Sequence, residues 1–158
     1  MQFFIFAAVA ALIALVDQIT KWLVVDGIQL YEHVDAIPGL FHLTRYHNTG
    51  AAWSSFEGMR WLFVGLFVLL TVALVYEYFR KRMGFTTFER WCIAALYGGA
   101  LGNAIDRARL GYVVDMIKVD FMDFPVFNVA DCFITCGCIL LLVHLFFFNK
   151  PFWKEGKK

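Results

Sequence analysis

Four long apolar stretches, separated by polar connections, organise the chain. The first runs from Phe3 to about Val25 and is broken only by Asp17, Gln18, Thr20 and Lys21. The second, Trp61 to Tyr78, carries no charge before Glu77. The third begins at Trp91, stays apolar to Leu101, then meets Asn103, Asp106 and Arg107. The fourth runs from Val129 to Phe148, with Asp131 near its start. A helix of ~20 mainly apolar residues crosses a bilayer core. The stretches therefore read as spans at about 3–25, 61–78, 91–107 and 129–148. Only about 15 residues separate Arg90 from Asp106. The third span must thus bring its polar end to the membrane boundary or run on against protein. The first stretch does not read as a cleaved leader: no basic segment precedes it, and its helical pattern continues through Asp17 and Lys21.

The connections carry a different period. Phe41, Leu43 and Arg45 alternate with His42, Thr44 and Tyr46, and Ile117, Val119 and Phe121 alternate with Lys118 and Asp120. Alternation predicts short half-buried strands, and so a small sheet. Ser54 and Ser55, followed by Phe56 and Glu57, predict the start of a short interfacial helix. The fold expected is an all-α membrane protein. It is a four-helix transmembrane bundle with a small sheet and an interfacial helix, and residues 1–158 form one domain.

Composition strengthens this picture. Hydrophobic residues make up 61% of the chain and charged residues 17%, and mean hydropathy is +0.65. A soluble surface could not be covered from that stock, and disorder or a coiled coil is excluded. The net charge of +1 leaves no nucleic-acid footprint. Its distribution matters more. Arg80, Lys81, Arg82 and Arg90 crowd the short connection, and Lys150, Lys154, Lys157 and Lys158 crowd the tail. Positive residues collect inside, so both termini are expected in the cytoplasm and the two long connections outside. At ~1.5 Å per residue, Asp17 then lies roughly 20 Å up, near the outer boundary. Asp106, Arg107 and Asp131 are expected beside it, so that every strongly polar residue within or beside a span collects at that boundary.

Ionisable residues in spans usually face a bundle interior or wet cavity. Asp17 and Lys21, four apart on one helix face, read as a structural self-neutralising pair. Gly98 and Gly102 offer a small face for close helix approach. Asn103 and Arg107 share another face, suited equally to packing or to positioning a substrate. Asp115 in GYVVDMI and Asp131 in FPVFNVAD are acids in apolar contexts. Separately, each is a cap or loop acid. Facing each other, they would share a proton and could activate water, the logic of aspartic hydrolysis. Spacing alone does not bring them together. Other catalytic sets are absent. Neither Ser54 nor Ser55 is in a nucleophile elbow, and His33, His42, His47 and His144 form no HExxH. Cys92, Cys132, Cys136 and Cys138 fall in spans and read as packing residues, with neither metal nor disulfide framework expected.

Read together, DQITK, YHNTGAAWS, GGALGNAIDR, GYVVDMI and FPVFNVAD occur in that order along almost the whole chain. The set closely resembles signal peptidase II, the bacterial prolipoprotein signal peptidases. The resemblance implies an aspartic endopeptidase of the inner membrane, with its small sheet on the periplasmic side. Its implied substrates are prolipoproteins bearing diacylglycerol on a Cys, cut just before that Cys. It implies Asp115 and Asp131 as the catalytic pair. Asn48, Gly50, Asn103, Arg107, Asn128 and Ala130 are implied to line the site, with Asp17 and Lys21 supporting the fold. No metal or cofactor is implied. Membrane lipids and globomycin-type cyclic peptide inhibitors are implied partners. The competing classes are a small proton-coupled carrier using embedded acids and a structural or assembly subunit.

Overall fold

The computed structural model describes residues 2–51, 55–80 and 83–149. Its elements follow in the order α1 (Gln2–Gly27), β1 (His33–Ile37), β2 (Phe41–Asn48), α2 (Arg60–Arg80), α3 (Thr87–Arg109), β3 (Val113–Val119) and α4 (Val129–Phe147). α1, α2 and α4 are long and apolar enough to cross a membrane. α3 is equally long but too polar to qualify by composition, because Glu89, Arg90, Asn103, Asp106, Arg107 and Arg109 dilute its apolar run. It packs against all three other helices. Its polar groups therefore meet protein, as buried charges in a bundle must. α2, by contrast, buries no residue and packs on α3 alone among the helices that share extensive contacts.

The two glycines expected to permit close approach do so. A Cβ on Gly98 would lie 2.8 Å from the Ala10 carbonyl oxygen of α1, and one on Gly102 would strike the Asp17 carboxylate. Gly99, one residue on, meets the backbone of Ala130 and so admits α4 to the opposite side. α3 and α4 both begin with capping boxes, Thr86 with Glu89 and Asn128 with Asp131. Such boxes satisfy two of the orphan N–H groups at a helix start.

The three strands form one antiparallel sheet in the order β1-β2-β3. β2 contains the first alternating segment, but β3 shares only Ile117–Val119 with the second and begins at Val113, where four successive buried residues leave no alternation to read. β1 was not expected. Every one of its residues is exposed, so no burial pattern marks it. It is set instead by the turn Ile37-Pro38-Gly39-Leu40, closed by the Leu40 N–H on the Ile37 carbonyl at 3.0 Å, with Gly39 at φ 75°. Pro followed by a left-handed Gly is the signature of that turn. Val24 of α1 packs with Val114 and Met116 of β3, which fixes the sheet over the end of the bundle.

Two further expectations are corrected. Residues 55–58 form turns and not the start of an interfacial helix, because Phe56 (φ 57°) and Gly58 (φ 76°) are left-handed; Ser54 lies outside the described residues. Nor do all buried polar groups gather at one end. Glu89, fully buried, accepts hydrogen bonds from Thr86 N at 2.7 Å and from Asn149 Nδ2, and meets His144 Nδ1 at 2.9 Å. This second cluster joins the start of α3 to the end of α4, at the opposite end of both helices from Asn103 and Asp131.

Candidate active site

The site begins with a helix cap. Asn128 precedes α4, and its side-chain oxygen accepts the Asp131 N–H at 3.0 Å. Asp131 returns the bond: its Oδ2 accepts the Asn128 N–H at 3.1 Å. That leaves the Asn128 amide to donate elsewhere, and Nδ2 reaches Asp115 Oδ1 at 2.6 Å. One side chain thus holds the acid of β3 and the acid of α4 together. Asp131 is thus a helix cap, as one of its two readings had it, and the same Asn128 links it to Asp115.

Further amides fix each carboxylate. Asn48, at the end of β2, donates from Nδ2 to Asp115 Oδ2 at 2.8 Å. Asn103 donates from Nδ2 to Asp131 Oδ1 at 2.8 Å. The Asn103 oxygen in turn accepts from Asn128 Nδ2 at 3.1 Å and from Lys21 Nζ at 2.8 Å. The cation sets the amide the right way round for its bond to Asp131.

Lys21 is the hub of the buried charges. Besides Asn103, it pairs with Asp17 Oδ2 at 2.8 Å and with Asp106 Oδ2 at 2.9 Å. All three groups are almost wholly buried. The expected Asp17/Lys21 pair is therefore real but belongs to a larger set. Asp106 also accepts from Gln18 Nε2 at 2.7 Å and Val114 N at 3.1 Å. Gln18 and Asp106 were not singled out as site residues. Their signal was position, beside Asp17 and Arg107 at the same end of the bundle. Ala130, also fully buried, donates its N–H to Asp17 Oδ1 at 3.0 Å.

Arg107 reaches across from α3. Its Nη2 donates to the Gly50 carbonyl at 2.8 Å, and its guanidinium lies over the Phe63 ring, 4.4 Å from the centroid. The Gly50 N–H is donated to Asn48 Oδ1 at 2.9 Å. Arg107 thereby holds the turn that carries Asn48 onto Asp115.

The electrostatics follow from the inventory. Asp17, Asp106, Asp115 and Asp131 face only Lys21 and Arg107 as cations within this network. All four acids cannot be charged cheaply. Asp115, 1% exposed, carries the consequence: burial first, and the neighbouring Asp131 charge second, push its carboxyl up to about 7.

The remaining expectations fall elsewhere. His42 meets Asp120 at 2.6 Å and His47 stacks on Tyr112, both on the sheet. Among the described residues, no group of three His, Cys, Asp or Glu could hold a metal ion. Cys92 is buried as expected and Cys138 is half-buried, but Cys132 and Cys136 are exposed on α4.

A family model for signal peptidase (SPase) II matches residues 9–147. The chain belongs to the signal peptidase II family. A lipoprotein signal peptidase of Enterococcus faecalis is 40% identical over 156 residues, 97% of this chain and 94% of that protein. One of Geobacillus kaustophilus is 41% identical over 145 residues, covering 90% and 94%. Among solved structures, a bacterial membrane enzyme determined by the in meso method at 2.3 Å superposes with a TM-score of 0.83. The two share 32% identity, over 97% of this chain and 91% of the other. Membership of this family makes the chain a protease of the membrane and leaves the carrier reading without support.

Proposed function

We propose that the chain removes signal peptides from prolipoproteins whose Cys carries diacylglycerol, cutting on the N-terminal side of that Cys. The observation that carries the chemistry is Asn128, bonded to both Asp115 and Asp131. With its carboxyl pushed up to about 7, Asp115 keeps a substantial protonated fraction at neutral pH and can serve as the proton donor. Water between the acids gives a proton to Asp131 as its oxygen attacks the scissile carbonyl carbon. Asp115 gives its proton to the carbonyl oxygen. In the second step Asp131 protonates the leaving nitrogen, the C–N bond breaks, and Asp115 recovers a proton from one hydroxyl. Each transfer contributes about 10²–10⁴ in rate. No metal or cofactor takes part in this sequence.

Asn48, Asn103 and Asn128 orient the carboxylates; Gly50 and Arg107 hold the turn over them; Ala130 anchors α4 to Asp17. All four helices cross the bacterial inner membrane, α3 included, with both termini in the cytoplasm and the sheet and dyad at the periplasmic face. This places the scissile bond at headgroup level, where a lipid-anchored Cys must sit. Globomycin-type cyclic peptides would occupy the same dyad. A carrier is disfavoured by the apolar run of α3 from Cys92 to Leu101, which separates the Glu89 cluster from the Asp17 network. The test is incubation of the purified protein, in EDTA, with a diacylglyceryl-modified prolipoprotein and with its unmodified precursor. Release of the signal peptide from the modified form alone supports the reading; no release from either sinks it.

A further inference from the structure

A cavity of about 240 Å³ lies beside the dyad, lined by Tyr46, Asn48, Lys118, Phe124, Pro125 and Val126 among others. Its walls are β2, β3 and the β2–α2 and β3–α4 connections, not the helices. Two of its residues border the chemistry. Asn48 donates to Asp115 at 2.8 Å, and Tyr46 is the cross-strand partner of Asp115. The volume is that of about eight waters at ~30 Å³ each, and below the ~300 Å³ at which drug-sized ligands are held. It suits one or two residues of an extended peptide.

Lys118 supplies the charge. Its Nζ donates to the Phe124 carbonyl at 2.6 Å, which folds the connection over the cavity. Its other partner, Asp123, is 3.4 Å away and fully exposed, at 101%. Such a pair is screened by solvent and easily exchanged. A carboxylate entering the cavity would take its place.

Resting on the peptidase reading, we infer that this cavity receives the one or two residues following the lipid-bearing Cys, and that Lys118 makes it favour an acidic residue there. The signal side of the substrate lies among the helices. The mature side must leave in the other direction, and the cavity, which borders Asp115 through Asn48 and Tyr46, is walled by strands and connections rather than by helices.

The test uses three diacylglyceryl-Cys peptides that differ only in the two residues after Cys, which are Glu, Gln or Lys. The purified protein should cleave all three with similar kcat, and KM should rise from Glu to Lys by about threefold to tenfold. Lys118→Arg keeps that order, Lys118→Gln flattens it, and Lys118→Glu reverses it. Equal KM values in the wild type, or the wild-type order in Lys118→Glu and Lys118→Gln, overturn the subsite while leaving the peptidase intact. Failure to cleave any of the three overturns the peptidase reading and the subsite with it.

Discussion

Asn128 serves Asp131 and Asp115 at once, so the ionisation of the pair is tied to a single local geometry. The pH profile should show this. Burial and the Asp131 charge raise the Asp115 carboxyl to about 7, so it is protonated below that pH and ionised above it. The protonated form is the one that can donate to the scissile carbonyl. Cleavage should therefore fall about tenfold per pH unit above 7, measured as kcat/KM on one modified substrate. A rate that stays flat to pH 9 would remove Asp115 as the donor. Arg107 tests positioning apart from chemistry. Its planar fork reaches the Gly50 carbonyl, and its face covers Phe63. Lys copies neither. Arg107→Lys should lose about tenfold in rate and Arg107→Ala about a hundredfold, with cleavage remaining in both. An unchanged rate for Arg107→Lys would leave this residue only an anchoring role.

At the scale of elements, the bundle depends on how closely α1 and α4 approach α3. Gly99 lies against the Ala130 backbone and Gly98 against Ala10, so neither position has room for a side chain. Gly99→Val should destabilise by roughly 1–3 kcal/mol by overpacking and separate α4 from α3. A lowered melting temperature in detergent, with activity falling in parallel, is the expected result; a wild-type melting curve would show that α4 does not pack there. The Gly98/Gly102 pattern made the approach of α1 readable in the sequence, as the apolar runs did for α1, α2 and α4; the contact of Gly99 with α4 was not singled out. Alternation did the same for β2 but for only the last three residues of β3, whose first four are buried in succession and so do not alternate. β1 escaped because it buries nothing and is formed by a Pro-Gly turn and a neighbour's hydrogen bonds. Asp115 and Asp131 were legible as unusual acids, and the family motif named them as a pair. Their meeting was not legible from spacing, since it is made through Asn128 and by packing between elements distant in the chain. Asp106 was expected at this end of the bundle but not as part of the site, and Gln18 was not singled out, because the bond between them joins residues 88 positions apart. Glu89 was not singled out, because its partners, His144 and Asn149, lie at and just beyond the far end of α4.

For the whole molecule, the distribution of Lys and Arg and the single-ended dyad make one joint claim about orientation. Reporters placed after Lys158 or near Met83 should read as cytoplasmic, and reporters near Glu32 or at 120–123 as external. An external C-terminal reporter would put Asp115 and Asp131 on the wrong side for a substrate exported across the membrane. The account depends most on the dyad itself. The most direct measurement is the initial rate of signal-peptide release from a diacylglyceryl-modified prolipoprotein, for the wild type, Asp115→Asn, Asp131→Asn and the double variant at matched folded concentration. An amide neither shares nor accepts the proton, and residues that act as one unit lose activity together. Each single variant should therefore fall to the level of the double variant, by about 10⁴ or more, with its melting curve still cooperative. A folded single variant that retains near-wild-type release would contradict the two-acid mechanism.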